Sequence, residues 1–282
     1  MKRGDAARLI LLAAIWGASF LFTRIVAPSL GPVATADLRM LIGGIALAVY
    51  FRAVRFDPDW RRWGAQYLIV GLFTSALPFL LYAYAALELS AGLLSVLNAT
   101  APMWGAVMAA LILGERLTSG RLAGFALGIA GVALVTRAEP GAHLAPSAVM
   151  AALAAAFCYG LAGAYLKRWA HAAPARGMAV GSQIAGGLLL LPFNAIAPAP
   201  TSPGVLVVAS VLALGLVCGA VAYLLYFRLI TDIGPTGALT VTYLIPIFGV
   251  CWGALFLGET VSASMLAGGA LVVLGTVCVL RR

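Results

Sequence analysis

The segment 102–137 recurs 144 residues later as 246–281, and that duplication limits the possible folds more than any other feature of the chain. Pro102, Gly105, Ala110, Leu111, Leu113, Gly114, Glu115, Leu122, Ala123, Gly124, Ala126, Leu127, Gly131, Val135 and Arg137 each meet their own residue type in the second copy, 15 identities in 36 ungapped positions. The matches span polar corner and apolar helix alike, which shared lipid-facing composition alone rarely produces. Each copy accommodates five membrane spans. An odd number makes the second copy enter the bilayer from the opposite side, so the halves are expected as inverted copies, an architecture of transporters.

A chain that is 63% hydrophobic and 10% charged, with a mean hydropathy of +1.05, has too little charge for a water-facing surface. About 20 apolar residues cross a hydrocarbon core of roughly 30 Å. Ten such segments fit, at 8–26, 33–51, 64–86, 91–113, 121–136, 147–166, 177–195, 204–228, 235–257 and 263–280. The apolar runs are continuous rather than alternating, and an open sheet would strand its backbone polar groups in lipid, so the spans are helices. The expected fold is an all-α integral membrane protein of ten transmembrane helices in two inverted five-helix repeats, 1–141 and 142–282. The joint at 142–147 is too short for independent domains, so one integrated unit is expected.

The formal charge of +9 is a topology signal and does not point to nucleic acid. With the N-terminus inside, one side collects Lys2, Arg3, Arg8, Arg52, Arg55, Arg61, Arg62, Arg116, Arg121, Lys167, Arg168, Arg176, Arg228, Arg281 and Arg282, and the other only Arg24, Arg39 and Arg137. That bias predicts that both termini are cytoplasmic. The first apolar run lacks a small-x-small cleavage site and reads as a retained helix.

Cys158, Cys218, Cys251 and Cys278 fall inside spans and read as small apolar packers. His143 and His171 fall in loops, and no HExxH motif, nucleophile with a base, phosphate-binding loop or metal-ligand set is evident. The reading is therefore non-enzymatic, with no cofactor and no metal. Glycines concentrate within the spans, where small residues let helices approach. Gly124 and Gly128 form a GxxxG whose counterpart is Gly268 and Val272, which suits either a homodimer face or packing within one molecule; packing, and a monomer, is the preferred reading.

A site inside the membrane needs polar or aromatic groups around a cavity, often where helices break. Pro102 and Pro246 occupy matching places, and each removes the helical partner of the carbonyl four residues earlier, on Asn98 and Thr242. They serve either as gating kinks beside a site or as packing kinks alone. Trp60, Trp63 and Trp169 suit the lipid headgroups, whereas Trp16, Tyr82, Tyr159, Tyr226 and Tyr243 lie near mid-span and are assigned to a cavity wall, because a buried tyrosine hydroxyl needs a partner. Trp104 and Trp252 are left to packing or lipid. Among the acids only Asp37 lies a turn inside a span, so no deep proton relay is evident and gradient-driven passage is favoured over proton antiport. Glu115 and Glu259 precede the cap residues Thr118 and Ser262 and read as structural. Arg24, Asp37 and Arg39 are expected together at the outer surface, as mutually paired anchors or as the rim of a vestibule.

The double Pro…Leu-Gly-Glu…Ala-Gly pattern, with Trp16, Gly17, Ala18 and Ser19 in the first span, resembles EamA-type members of the drug/metabolite transporter superfamily, in layout most like bacterial amino-acid exporters of the YddG kind. The resemblance implies a central cavity lined by the first, third, fourth, sixth, eighth and ninth spans. Carried onto this chain, it assigns Trp16, Ser19, Tyr82, Asn98, Tyr159, Tyr226, Thr242 and Tyr243 to substrate binding. It further implies export of amino acids and related metabolites by alternating access. Small multidrug relatives use a glutamate in the first span, and this chain has none there, which weakens proton coupling. Phosphate-carrying relatives place basic residues in the cavity; the mid-span regions read as having none, which points to a neutral or zwitterionic solute. A proton-coupled multidrug antiporter and a non-transporting membrane scaffold are the competing readings.

Overall fold

The computed structural model describes residues 3–137 and 145–280. Lys2, Arg281, Arg282, Glu139, His143 and the first half of the expected joint at 142–147 lie outside them. Among the described residues there are no strands, and nine helices are long and apolar enough to cross a membrane. These are α1 (Gly4–Ala53), α2 (Trp60–Ala85), α3 (Ala91–Leu113), α4 (Ser119–Arg137), α5 (Pro146–Trp169), α6 (Ala175–Ala195), α7 (Val205–Gly234), α8 (Gly237–Leu257) and α9 (Ala263–Leu280).

The 50 residues of α1 would extend about 75 Å at 1.5 Å each, more than twice the thickness of a hydrocarbon core. The helix is broken at Gly31, where φ is 76° and ψ is 163°. Proline at position 32 pushes the preceding residue to extended ψ, and with φ positive only glycine avoids a clash. Two arms result, residues 4–30 and 32–53. The same device recurs between α7 and α8, where Gly234 (φ 78°, ψ 164°) precedes a second proline.

Other ends follow from local chemistry. Ser90, Thr118 and Ser262 accept hydrogen bonds from the N–H groups of Leu93, Arg121 and Met265, capping α3, α4 and α9. Gly114 (φ 71°) and Gly258 (φ 65°) end α3 and α8 in the left-handed conformation, so the repeated Leu-Gly-Glu is a repeated helix stop. The equivalent leucines beside these stops, Leu111 and Leu255, are 73% and 72% exposed, as expected for side chains facing lipid.

Pairs of glycines bring the halves together. A Cβ on Gly17 would strike Phe248 and Gly249, and one on Gly160 would strike Trp104 and Gly105. These contacts are equivalent in the two repeats, with the glycines 143 residues apart and their partners 144: the first arm of α1 packs on α8 as α5 packs on α3. Gly124 lies on the Gly275 carbonyl and Gly131 on the Gly268 carbonyl, so α4 and α9 run antiparallel in close contact. The GxxxG face is thus occupied within the molecule. Glu259, just past the end of α8, reaches the N–H groups of Ala91 and Gly92 at the start of α3. Those two helices therefore also run in opposite directions.

Candidate functional site

A cavity of about 1460 Å³ lies between the halves. Trp16, Ser19, Phe20 and Arg39 of α1, Thr74 and Phe79 of α2, and Asn98 and Pro102 of α3 line it from one side. Tyr159 of α5, Gln183 of α6, Cys218, Tyr223 and Tyr226 of α7, and Thr242 of α8 complete the wall. The lining continues to Glu115, Arg116, Arg121 and Lys167, the basic end of the molecule.

The opposite end is tied shut. The Arg24 guanidinium donates to the carbonyls of Ala86 and Leu87 where α2 stops. The Asn194 amide donates to Asp37 Oδ2 at 2.6 Å, the Thr201 N–H to the Ser29 carbonyl at 3.1 Å, and Glu259 holds the start of α3.

The local fold aims the aromatic groups. Trp16 and Tyr159 each precede the glycine that presses against the other half, so each ring is delivered to the seam. The Trp16 ring lies 5.4 Å from that of Tyr226 and 6.3 Å edge-on from Tyr223, forming a π-rich wall. Two π-helical stretches, Leu72–Ala76 and Ala213–Val221, occupy equivalent places in the halves and bring Thr74 and its counterpart Cys218 to the cavity. Such bulges rotate the following residues relative to a regular helix and recur at functional sites.

The sequence-derived residues divide as follows. Trp16, Ser19, Asn98, Pro102, Tyr159, Tyr226 and Thr242 line the cavity. The Ser19 and Thr242 hydroxyls donate to carbonyls of their own helices, at Trp16 and Leu239. Tyr82 stands behind the wall, 4% exposed; its hydroxyl donates to Asn98 Oδ1 at 3.0 Å, and its ring stacks on Tyr159 at 6.4 Å. Tyr243 and Pro246 are not among the lining residues. Near Pro102 the α3 backbone is interrupted at Ala99 and Thr100, and Thr276 of α9 donates to the Ala99 carbonyl. In the second half the interruption falls at Thr240, leaving Pro246 inside a continuous helical stretch.

Arg24, Asp37 and Arg39 do not pair. Arg24 and Asp37 belong to the tied end, whereas Arg39 reaches the cavity with its guanidinium 3.8 Å above the Phe79 ring. This corrects the expectation of a cavity without mid-span basic groups. Gln183 was also missed: it is fully buried, lines the cavity, and neither its Oε1 nor its Nε2 has a partner among the described residues. The available signal was a charged or amide side chain well inside an apolar run.

At the basic end, Glu115 accepts from Lys167 Nζ at 2.6 Å and from Arg121 at 3.1 Å. These two hydrogen bonds, Lys167 first, hold its carboxyl below the usual range.

Comparison with known proteins gives the arrangement a family. The model of the EamA-like transporter family matches residues 6–137 and again residues 146–281. The chain is 27% identical to the uncharacterized transporter YvbV of Bacillus subtilis over 96% of this chain and 90% of that protein. It is 27% identical to a protein of Salmonella typhimurium named "Probable amino-acid metabolite efflux pump" (98% and 94% covered). It is 26% identical to one of Streptantibioticus cattleyicolor named "Probable terminal-alkyne amino-acid exporter" (97% and 92% covered). A crystal structure of a protein 18% identical in sequence superposes with a TM-score of 0.66 over 99% of this chain and 97% of that one, a likeness of fold alone. Matched in both halves over nearly its whole length, this multi-pass membrane protein belongs to the EamA-like transporter family.

Proposed function

We propose that the protein exports amino acids, including apolar or aromatic ones, and related small metabolites across the bacterial inner membrane, by alternating access and without proton coupling. Counting the two arms of α1 separately, the chain is read as ten spans in two inverted repeats, 1–141 and 142–282, with both termini cytoplasmic. It is read as a monomer, since its glycine face is engaged internally. The observation that carries the reading is the cavity built by both halves, lined to the basic end and tied off at the other. The equivalent contacts of Gly17 and Gly160 and the antiparallel pairs α3–α8 and α4–α9 support the inverted arrangement. The names of the Salmonella and Streptantibioticus relatives support amino acids as cargo.

In the cycle the halves rock about the cavity, with Pro102 and Pro246 as gating elements. Inverted symmetry gives the second state: Glu259 releases α3, while Glu115 leaves Lys167 and takes the N-terminus of α8. Purified protein in liposomes is expected to pass labelled amino acids down their gradient with no imposed pH difference. Strict dependence on a proton gradient overturns the uncoupled mechanism.

One observation favours the proton-coupled alternative. Asp37 is 2% exposed, and its Oδ1 has no partner among the described residues, which makes it a carboxylate inside the membrane available for protonation. Under that reading Asp37→Asn abolishes gradient-driven flux but spares exchange; under the uncoupled reading both survive.

A further inference from the structure

The unexplained group in the cavity is Arg39. A guanidinium carries five N–H donors, accepts nothing and stays charged at any physiological pH. Among the described residues it makes no ion pair or hydrogen bond, and its buried Nε is unpartnered; the Phe79 ring lies against one face of the guanidinium. Stacking of that kind fixes the plane and leaves the edge of the fork for a ligand. Gln183, fully buried on the same cavity, offers an amide donor and acceptor with no partner among the described residues. Burying such groups without partners is costly unless something that enters the cavity completes them.

The cavity holds no matching negative pole. Its one acid among the lining residues is Glu115, at the basic end and already committed to Lys167 and Arg121. A solute's ammonium therefore finds no further carboxylate among the lining residues, but aromatic rings, Trp16 and Tyr226 among them. A solute's carboxylate finds a planar fork that matches it in two parallel hydrogen bonds.

We infer that Arg39, with Gln183 beside the same cavity, forms a carboxylate-binding pole, so the transporter selects its cargo by the carboxylate and tolerates loss of the α-amino group. The inference deepens the amino-acid reading above and rests on its cavity. It extends the substrate class to 2-oxo acids and N-acylated amino acids, and it excludes amino-acid amides and free amines.

The test uses the full-length protein with phenylalanine, phenylpyruvate, N-acetylphenylalanine, phenylalaninamide and phenethylamine, read by binding in detergent and by flux in liposomes. The three carboxylates are expected to bind within a few-fold of one another, and the amide and the amine at least about tenfold more weakly, the effect of losing a charged hydrogen-bonded pair. Arg39→Gln is expected to weaken the carboxylates about tenfold or more without improving the amide, and Arg39→Lys to restore part of the loss as a point charge. Because the ligand series on the unaltered protein decides the matter by itself, a variant that does not fold leaves the test intact. If phenylalaninamide binds as well as phenylalanine, or Arg39→Gln changes neither, the pole is overturned while amino-acid transport stands. If phenylpyruvate passes and phenylalanine does not, amino-acid export falls and the pole stands. Binding of none of the five overturns both.

Discussion

The corner at Leu113, Gly114 and Glu115 and the corner at Leu257, Gly258 and Glu259 share three residues and one backbone shape, yet their carboxylates do different work. Glu259 reaches across the repeat boundary and accepts from the N–H groups of Ala91 at 2.7 Å and Gly92 at 3.1 Å, where the α3 dipole favours negative charge. Glu115 also crosses to the other repeat, but by an ion pair with Lys167, a side chain 66% exposed, beside one with Arg121 of its own repeat. The corners lie at opposite ends of α3, roughly 30 Å apart for a helix of that length. One end is closed by backbone capping and the other is loosely tied by screened ion pairs around the cavity mouth. The duplication kept the helix stop in both places, and the packed helices give the two acids different partners. A rocking pair of inverted halves would exchange those roles between its two states.

The largest effect is expected from breaking the closed corner. Glu259→Gln removes the charge from two hydrogen bonds and leaves a neutral amide to cap α3. A loss of about 1–3 kcal/mol from the closed arrangement follows. In a background without the four native cysteines, Leu87→Cys then labels faster with an impermeant maleimide, and the melting temperature falls. Unchanged labelling would mean that Arg24 and the Asp37–Asn194 pair keep that end shut without Glu259.

A smaller effect is expected from making the closed corner resemble the open one. Gly253 lies directly against the Glu259 carboxylate, so a Cβ there displaces it. The equivalent position beside Glu115 is Ala109, already a residue with a Cβ. Gly253→Ala should therefore cost about 1 kcal/mol through loss of the cap, and little more once Glu259→Gln is present. Full additivity of the two would show that the glycine serves packing with Gly92 and not the carboxylate.

How much of this the sequence disclosed depends on the range of the forces involved. The helix stops at Gly114 and Gly258, the caps at Thr118 and Ser262, and the apolar runs were legible because each depends on residues a few positions apart. Trp16 and Tyr159 were legible as repeated aromatics beside repeated glycines. Arg39 was misplaced because counting charges by loop records the nearest helix end, whereas its position on the helix face turns it toward Phe79. Tyr82 was placed one layer too far forward, since its hydroxyl finds Asn98 rather than the cavity. The π-helical stretches had little local signal: Pro78 follows the first, but no proline follows the second at the equivalent Ala222. The division of labour between Glu115 and Glu259 was hidden for the same reason, because Lys167 and Ala91 are brought to them only by the packed helices.

The smallest effect belongs to the loose corner, and there salt and pH should separate it from its twin. Exposed ion pairs contribute at most about 1 kcal/mol and weaken as ionic strength rises, so Glu115→Gln should change the melting temperature little. Hydrogen bonds from Lys167, and then from Arg121, hold the Glu115 carboxyl below its ordinary value of 4.5. A carboxyl lowered in this way stabilises the folded, tied arrangement fully above its ordinary value. That contribution is lost as pH falls from there through the lowered one. Between neutral pH and about pH 5 the tie should therefore hold, and it should open only at more acid pH. In the Glu115→Gln protein that acid-dependent part should vanish, and high salt at neutral pH should reproduce its effect in the unaltered protein. A tie at Glu115 that resists high salt would mark it as a fixed cap like Glu259, and the two corners could then not exchange roles.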